Sequence, residues 1–266
     1  YIVSNEQAWM VVNGKLFTFK KPISGGKLRP FLEKKFILIP KNVEDTYFKK
    51  FVSPLVASFD VYAQGFDIRT ERYDPRPILT FSEVQQTINN ATLFDQKAQQ
   101  DESDQQKLLV ELCIAYGEHQ FKADQLKEVS VSLEKEEDNY TFHRIRRELE
   151  HEKKLLQVLR DSGLEIKNSR ITMAKSSAFS WLNQHRKTLE SLNFEIRQSQ
   201  ISGKVYFLGE SSIDVKIEEG IDWFDIKAVV RFGEFEIPFK TIRNLVLQKK
   251  IEKKLHNGDI GVIPAH

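Results

Sequence analysis

The sequence approaches a phosphate-binding loop at one point without completing it. In such a loop, backbone N–H groups cradle the phosphates while a Lys and a hydroxyl reach the β/γ-phosphate and Mg²⁺. Ser24-Gly25-Gly26-Lys27 supplies the last Gly and the Lys, but Leu28 occupies the hydroxyl position and Lys21 stands where the first Gly belongs. We therefore expect a flexible turn between strands here, and no ATP site.

Metal ligands and nucleophiles are also incomplete. Because Cys113 is the single cysteine, a multi-thiolate zinc site within the chain is excluded. His143 and His151 lie eight positions apart, and the His-x-x-x-His spacing of two ligands on one helix face does not occur. Gly209-Glu210-Ser211-Ser212-Ile213 begins like the G-x-S-x-G turn of a serine hydrolase, but Ile213 replaces its last Gly. We therefore expect no metal site at these histidines. At Gly209-Glu210-Ser211-Ser212-Ile213 we expect only a turn between strands.

Acidic and histidine side chains elsewhere do not converge. Asp222 and Asp225 bracket Trp223-Phe224, but positions i and i+3 of a strand point to opposite faces and cannot act on one substrate atom. This argues against a glycosidase-type acid pair. His185 falls on the apolar face of a predicted helix, where we expect it to be packed and hydrogen-bonded. The sequence thus predicts a chain that is not an enzyme, with no catalytic residues and no cofactor of its own.

Basic residues form two groups. The first alternates with glutamates at i, i+4 spacing, which is typical of a solvated helix face; its cations are Arg144, Arg146, Arg147, Lys153 and Lys154. The second is denser and provides the candidate contacts to a DNA backbone, namely Lys240, Arg243, Lys249, Lys250, Lys253 and Lys254. If the lysine run is a strand, alternate residues face opposite sides, so at most half of it can meet one backbone.

Composition bounds the class of protein. The 266 residues are 40% hydrophobic and include 19 Phe, which is enough apolar bulk for a core and excludes wholesale disorder. No apolar run approaches the roughly 18 residues of a membrane helix. With 40 Lys+Arg against 38 Asp+Glu, the net charge of +2 is smaller than a dedicated nucleic-acid binder usually carries. The lone Cys fits a reducing cytoplasm. The start at Tyr1 is neither an initiator Met nor a signal peptide, so we expect a fragment of a longer protein.

Strand patterns dominate both ends of the chain. Asn13-Gly14 between apolar runs predicts a hairpin, and residues 36–39 predict a further strand. Residues 222–232 alternate between apolar and polar side chains before a Gly233-Glu234 turn. Short helices are predicted over residues 43–58, kinked by Pro54, and over residues 239–247.

Helical periodicity appears in the middle of the chain. Asp138 or Asn139 is the predicted N-cap of a helix that ends at Gly163, and its apolar stripe consists of Phe142, Ile145, Leu149, Leu156 and Leu159. A second helix is predicted over residues 176–192. Residues 96–107 carry one Ala and no larger apolar side chain, so we expect an exposed, mobile loop there.

These patterns predict an α+β fold with antiparallel strands. We expect a β-rich N-terminal part with one helix over residues 1–135, a two-helix insert over residues 136–193 and an antiparallel β-rich C-terminal part over residues 194–266. A mostly parallel sheet would contradict this prediction.

The C-terminal segment resembles the helicase-associated region of bacterial Swi/Snf-type ATPases. In that family, an acidic-Trp-Phe-Asp strand precedes a strand, a short helix and a segment similar to L-x-[DN]-G-x-x-x-x-[IL]-P. The corresponding residues here are Asp222, Trp223, Phe224 and Asp225, and then Leu255-His256-Asn257-Gly258-Asp259-Ile260-Gly261-Val262-Ile263-Pro264. The charged helix ending at Gly163 is also similar, and Leu28-Arg29-Pro30-Phe31-Leu32 and Tyr62-Ala63-Gln64-Gly65-Phe66 fit more loosely.

The resemblance implies a parent protein that hydrolyses ATP with Mg²⁺ and either translocates on double-stranded DNA or remodels complexes on it. The phosphate loop and the acidic Mg²⁺ motif of the family belong to its motor, so the implied role of this chain is non-catalytic. It would dock on the motor domains of the same polypeptide, regulate them or help to hold DNA, in a cytoplasmic, nucleoid-associated setting and with no membrane partner. The alternative is a self-standing protein-interaction module unrelated to nucleic acid. A third hypothesis, an unrecognised hydrolase, lacks a convergent set of acid, base and nucleophile.

Overall fold

The computed structural model describes residues 2–4, 6–34, 38–84, 107–125, 127–199, 203–219, 224–248 and 250–263. The strands are β1 (Ile2–Ser4), β2 (Trp9–Val12), β3 (Lys15–Thr18), β4 (Asp67–Glu71), β5 (Pro75–Glu83), β6 (Lys107–Tyr116), β7 (His119–Lys122), β8 (Val129–Glu136), β9 (Asn139–Arg146), β10 (Arg170–Ala174), β11 (Glu195–Gln198), β12 (Ser211–Glu219), β13 (Phe224–Phe232), β14 (Phe235–Pro238), β15 (Glu252–Lys254) and β16 (Ile260–Val262). The helices are α1 (Gly25–Glu33), α2 (Lys41–Tyr47), α3 (Ser53–Ser58), α4 (Leu149–Asp161), α5 (Lys175–Ser191) and α6 (Phe239–Leu247).

The predicted α+β class is confirmed. Helices accompany several small sheets, and the strand pairs of the described residues are antiparallel except for β4 with β9 and β5 with β11. The chain divides into two compact units, one made of Tyr1–Arg72 with Glu128–Arg147 and the other of Tyr73–Lys127 with Glu148–His266. This is a different division from the three consecutive parts expected over 1–135, 136–193 and 194–266, because each unit draws on two separate stretches of sequence.

The first unit has an aromatic core. Its sheet has the order β4-β9-β8, and a second sheet has the order β1-β2-β3. The Asn13-Gly14 hairpin is confirmed, with both residues at positive φ as a type I′ turn requires. The buried core consists of Phe48, Val52, Val56, Tyr140 and Phe142.

The helix predicted over residues 43–58 is confirmed in a modified form. Residues 41–58 are helical throughout, but a π-helical turn over Phe48–Val52 separates α2 from α3. Pro54 follows it in the first turn of α3. Because proline clashes with the carbonyl of residue i−4, the wider turn accommodates Pro54 where the sequence predicted a kink.

The helix predicted to begin at Asp138 or Asn139 is wrong. Asn139–Arg146 is β9, which follows a tight turn in which Glu137 has a φ of 53°. Tyr140 and Phe142 are buried two residues apart, which is the strand period, and Ile145 is buried as well. The three- and four-residue steps from Phe142 to Leu149 therefore imitated a helical stripe, and α4 begins only at Leu149.

The second unit is built on a mixed sheet with helices packed on it. The strand order is β10-β6-β5-β11, and β7 pairs with the C-terminal half of β6. Buried residues of the sheet include Leu79, Phe81, Val110, Leu112 and Ile114, while α4 and α5 bury Leu155, Leu159, Ala178, Leu182 and Leu189. The helix predicted over residues 176–192 is confirmed as α5.

Gly163 ends α4 as predicted and supports a stability test. It has a φ of 86°, and the N–H of Leu164 donates to the carbonyl of Leu159 at 2.8 Å, which is the bond of a Schellman motif. A Cβ at Gly163 would meet nothing within 4 Å, so Gly163→Ala should cost about 1 kcal/mol through backbone conformation alone. Asn193 holds the same position after α5, with a φ of 55°. Urea unfolding should show a loss for Gly163→Ala and no loss for Asn193→Gly; equal stability of Gly163→Ala and wild type would contradict this.

The C-terminal module of the second unit has its own core. The sheet β12-β13-β14 packs on α6, and the pair β15-β16 completes the module. The buried residues are Val230, Phe232, Ile237, Ile242, Leu255 and Ile263. The Gly233-Glu234 turn and the alternation near it are confirmed, since Arg231 is exposed between buried Val230 and Phe232.

Several predictions fall outside the described residues. Residues 35–37 and 85–106 cover half of the predicted strand at 36–39, whose described residues 38 and 39 are not in a strand, and most of the predicted loop at 96–107. Asp222, Trp223, Lys249 and Pro264 are also outside. Phe224 and Asp225 lie in β13, where their register partners are Glu219 and Glu218.

Candidate nucleic-acid interface

Helix α6 presents two cations of the predicted basic group on its outer face. Its inner face is fixed by Ile242, which is buried, and by Leu245, which packs against the module's core. Lys240 and Arg243 are three residues apart, so they share a side of the helix, and both are exposed. The apolar contacts of the inner face therefore orient the two cations toward solvent.

The lysine run follows the helix in the sequence. The N–H of Lys250 donates to the carbonyl of Leu245 at 2.9 Å, which places Lys250 at the C-terminal end of α6, where the helix dipole favours a positive charge. Lys253 and Lys254 follow in β15. As predicted for a strand, these neighbours point to opposite sides, so one phosphate backbone meets at most one of them.

The one acidic residue of the run, Glu252, is turned inward and neutralised. Its Oε1 accepts from the Nζ of Lys175 at 2.7 Å and its Oε2 from the Nζ of Lys204 at 2.9 Å. Burial alone would raise the pKa of Glu252, but the hydrogen bonds from the two ammonium groups hold that pKa below its ordinary value. The carboxylate therefore does not offset the lysines on the outer surface.

Lys175 is the centre of a buried polar network. Only 4% of Lys175 is exposed, and its Nζ donates to Glu83 at 2.9 Å, to Glu252 at 2.7 Å and to the hydroxyl of Tyr206 at 2.8 Å. The Tyr206 hydroxyl in turn donates to Glu83. Burial and the two neighbouring carboxylates raise the pKa of Tyr206 far above its ordinary value. The phenol is therefore a fixed hydrogen-bonding group and not an acid near neutral pH.

This network connects the basic surface, by which we mean Lys240, Arg243, Lys250, Lys253 and Lys254, to the mixed sheet. Glu83 ends β5, Lys175 begins α5 and Glu252 begins β15. The side chain of Gln198 in β11 holds Tyr206 through both backbone groups, at 2.7 Å and 3.1 Å. Sequence analysis missed these residues, because Lys175 and Glu83 are 92 positions apart and no local pattern marks either one.

The five described cations of the surface are without ion-pair partners among the described residues. Lys240, Arg243, Lys250 and Lys254 are exposed and Lys253 is partly exposed. Cations elsewhere are often neutralised by neighbours, as Arg144 is by Asp60 at 3.0 Å and Lys153 by Glu150 at 2.7 Å.

The basic group from Arg144 to Lys154, which was predicted to lie on one helix, is divided between a strand and a helix. Arg144 and Arg146 lie on strand β9, while Lys153 and Lys154 lie on α4. Arg147 is buried, and its guanidinium donates to Ser130 at 3.2 Å. These residues therefore do not form the single solvated helix face that was expected.

His143 and His151, which are eight positions apart in the sequence, lie on different elements, β9 and α4. His143 is buried in the first unit, with its ring nitrogens 3.1 Å from Glu71 and 2.8 Å from Glu134. His151 is exposed on α4 in the second unit. His185 is partly buried and its ring lies 5.4 Å from that of Trp181, centroid to centroid, in line with a packed residue.

The two glycine-containing segments that were predicted to be turns between strands both differ from that prediction. Ser24-Gly25-Gly26-Lys27 is not a turn between strands, because Ser24 is the N-cap of α1 and Lys27 lies in its first turn. Pro30 lies inside the same helix. Gly209-Glu210 leads into β12 at Ser211, but it is not a turn between two strands, because the described residues 203–210 contain only an isolated bridge from Tyr206 to Ile260.

Comparison with protein-family models, with curated proteins and with solved structures finds no match for this chain. The resemblance to a Swi/Snf-associated region therefore stays a prediction that rests on the motif residues themselves. Among the described residues, no helix has both the length and the apolar character needed to cross a lipid bilayer.

Proposed function

We propose that this chain is a non-catalytic accessory region of a Swi/Snf-type ATP-dependent DNA translocase, and that it contacts the backbone of double-stranded DNA through the basic surface. The surface consists of Lys240, Arg243, Lys250, Lys253 and Lys254. ATP and Mg²⁺ would be used by motor domains of the same polypeptide, in the cytoplasm and in association with the nucleoid.

The proposal rests on the inward orientation of the Glu252 side chain. A lysine run with an alternating acid is usually only a solubilising surface. Here the acid is bound internally by Lys175 and Lys204, so the cations face solvent without a compensating charge from within the run. A helix, its C-terminal end and a strand then supply positive charge from one module.

The contact would be electrostatic and independent of base sequence. Lysine and arginine neutralise phosphates and release counterions, but they specify bases only when held against a groove edge. Lys240, Arg243 and Lys250, together with one of the two β15 lysines, offer at most four phosphate contacts. We therefore expect weak binding that is strongly sensitive to salt.

Fluorescence anisotropy with a labelled duplex tests the surface directly. At low salt, replacing Lys240, Arg243 and Lys250 together with Gln should weaken binding at least about tenfold. A control with Lys20, Lys21 and Lys34 changed to Gln removes the same charge from exposed positions of the first unit. If both triple variants bind as weakly as each other, the effect is one of net charge and the proposed surface is wrong.

Docking on a protein is the second candidate, and exposed apolar residues of α6 favour it. Val246 is 55% and Leu247 69% exposed, next to the basic surface. Large apolar side chains on a surface often mark contacts with another protein. A wild-type chain that binds no duplex at low salt, but binds the separately expressed motor domains, would support this role instead.

A further inference from the structure

Strand β12 is a nine-residue edge whose outer side is almost unpaired. It lies at one end of the sheet β12-β13-β14, and its register with β13 runs without interruption from Ser211 with Phe232 to Glu219 with Phe224. Exposed edges of this length attract a further strand unless they are blocked by charge, proline or a covering element.

Asn183 of α5 already occupies the first position on that outer side. Its side-chain amide donates to the carbonyl of Ser211 at 2.8 Å and accepts from the N–H of Ser211 at 2.8 Å. The amide thereby imitates the backbone of a neighbouring strand. In the part of the chain that the structure describes, it is the one group that bonds the outer edge of β12.

This contact determines which backbone groups point outward. In an antiparallel ladder, residues alternate between bonding their partner and pointing their N–H and C=O away from it. Since both groups of Ser211 bond Asn183, the outward groups farther along belong to Ile213, Val215 and Ile217. Consistently, the N–H of Gly233 donates to the carbonyl of Glu210 at 2.9 Å, one step from Ser211.

The apolar face of the same strand is also incompletely covered. Ile213 is the register partner of Val230, which is 2% exposed in the module's core. Val215 follows on the same face. Yet Ile213 is 41% and Val215 56% exposed, while the main packing of α6 is on β13 and β14. An added strand would extend this face and shield both side chains.

We propose that a second copy of this chain covers the edge, through antiparallel pairing of β12 with β12 about a twofold axis at Val215. In this register, position 215 pairs with itself, position 213 with 217 and position 214 with 216, so the sequence places an acidic residue opposite a basic one; within its own sheet Asp214 also pairs with Arg231 at 3.1 Å. The strand is thus self-complementary, as a twofold interface requires. Ile213, Val215 and Ile217 of each copy exchange their outward hydrogen bonds, and Asn183 ends the pairing at Ser211.

The interface is short, so the dimer should be weak. Stable complexes generally bury upwards of about 1,000 Å², which five paired residues from each copy do not reach alone. We expect a dissociation constant in the micromolar range or above. The mass measured by analytical ultracentrifugation should rise with concentration from 31.0 kDa towards twice that value.

Disulfide trapping tests the register. With Cys113 changed to Ser, Val215→Cys puts two thiols at a directly paired position, where the Cα atoms of antiparallel partners are about 5.5 Å apart, within disulfide range. Ser212→Cys is the matched control, because the same register separates its two copies by about 20 Å. Val215→Cys should give at least tenfold more covalent dimer in a glutathione buffer. Equal yields would overturn the register.

Proline substitution tests the hydrogen bonds. Val215→Pro removes one outward N–H without removing a bond to β13, so the sheet should remain folded. Val215→Thr keeps the N–H and a β-branched side chain. We expect Val215→Pro to be monomeric, Val215→Thr to associate as the wild type does, and both to have native circular dichroism. A wild type that stays monomeric at all concentrations, or a folded Val215→Pro variant that still dimerises, would contradict the proposal.

Discussion

Replacing Lys175 with Met is expected to lower the free energy of unfolding of the second unit by about 3–5 kcal/mol, because removal of one partner of a buried ion pair leaves the others uncompensated. The side chain of Lys175 is 5% exposed, and those of its partners Glu83 and Glu252 are 23% and 24% exposed. Methionine keeps much of the volume but none of the charge, so cavity formation contributes little to the loss.

Two further variants separate charge from packing. The triple variant Lys175→Met, Glu83→Gln, Glu252→Gln also removes the charges of the two carboxylates that lose Lys175 as a partner. It should recover part of the lost stability. Lys204→Met affects a residue whose side chain is 43% exposed and should change stability by less than about 1 kcal/mol. Urea unfolding measures all of them. If the Lys175→Met protein is as stable as the Lys204→Met protein, the buried network around Lys175 does not contribute the expected free energy of unfolding.

The pH dependence follows from the lowered pKa of Glu252. A carboxyl whose pKa is lower in the folded than in the unfolded chain stabilises the fold above its unfolded value, here ordinarily 4.5, and loses that contribution as the pH falls through the folded value. Stability of the wild type should therefore decline below about pH 4.5. The decline should be smaller in Lys175→Met, which has lost the principal ammonium partner.

Phe142→Ala is expected to destabilise the first unit by about 3–5 kcal/mol. Phe142 is fully buried, and its ring lies 4.8 Å from that of Phe66 and 5.8 Å from that of Phe48, both in edge-to-face geometry. Truncation removes these contacts and leaves a cavity that neighbouring aromatic rings cannot fill without changing their packing.

An exposed aromatic residue of the same unit provides the control. Tyr62 is 99% exposed, so Tyr62→Ala should change stability by less than about 0.5 kcal/mol. Thermal unfolding followed by near-ultraviolet circular dichroism reports on both variants. Equal melting temperatures for Phe142→Ala and Tyr62→Ala would mean that Phe142 is not part of a packed core.

Local chemistry was enough to predict several elements. Asn13-Gly14 and Gly233-Glu234 permit the backbone angles of their hairpins, and α6 begins directly after Pro238 with the apolar spacing of a packed helix. The same reasoning failed at Phe142, whose neighbours satisfy both a period of two and steps of three and four. Only pairing of β9 with β4 and β8 decides that ambiguity.

The candidate site was predictable in its cations but not in its geometry. A run of lysines is visible in the sequence, whereas the inward direction of Glu252 depends on Lys175, 77 positions away. The edge of β12 is likewise invisible from composition, because Asn183 and Ser211 meet only after α5 and the sheet have packed. Such contacts arise from tertiary structure, which no short window of sequence encodes.

The salt dependence of duplex binding tests the proposed function most directly. Anisotropy titrations at several salt concentrations should give a slope of about −2 to −4 for the wild type in a plot of log K against log salt, which corresponds to two to four phosphate contacts. The variant with Lys240, Arg243 and Lys250 changed to Gln should give a slope near −1 or no binding at all. A wild-type chain with no measurable affinity at low salt, or a variant with an unchanged slope, would contradict a role of this surface in holding DNA.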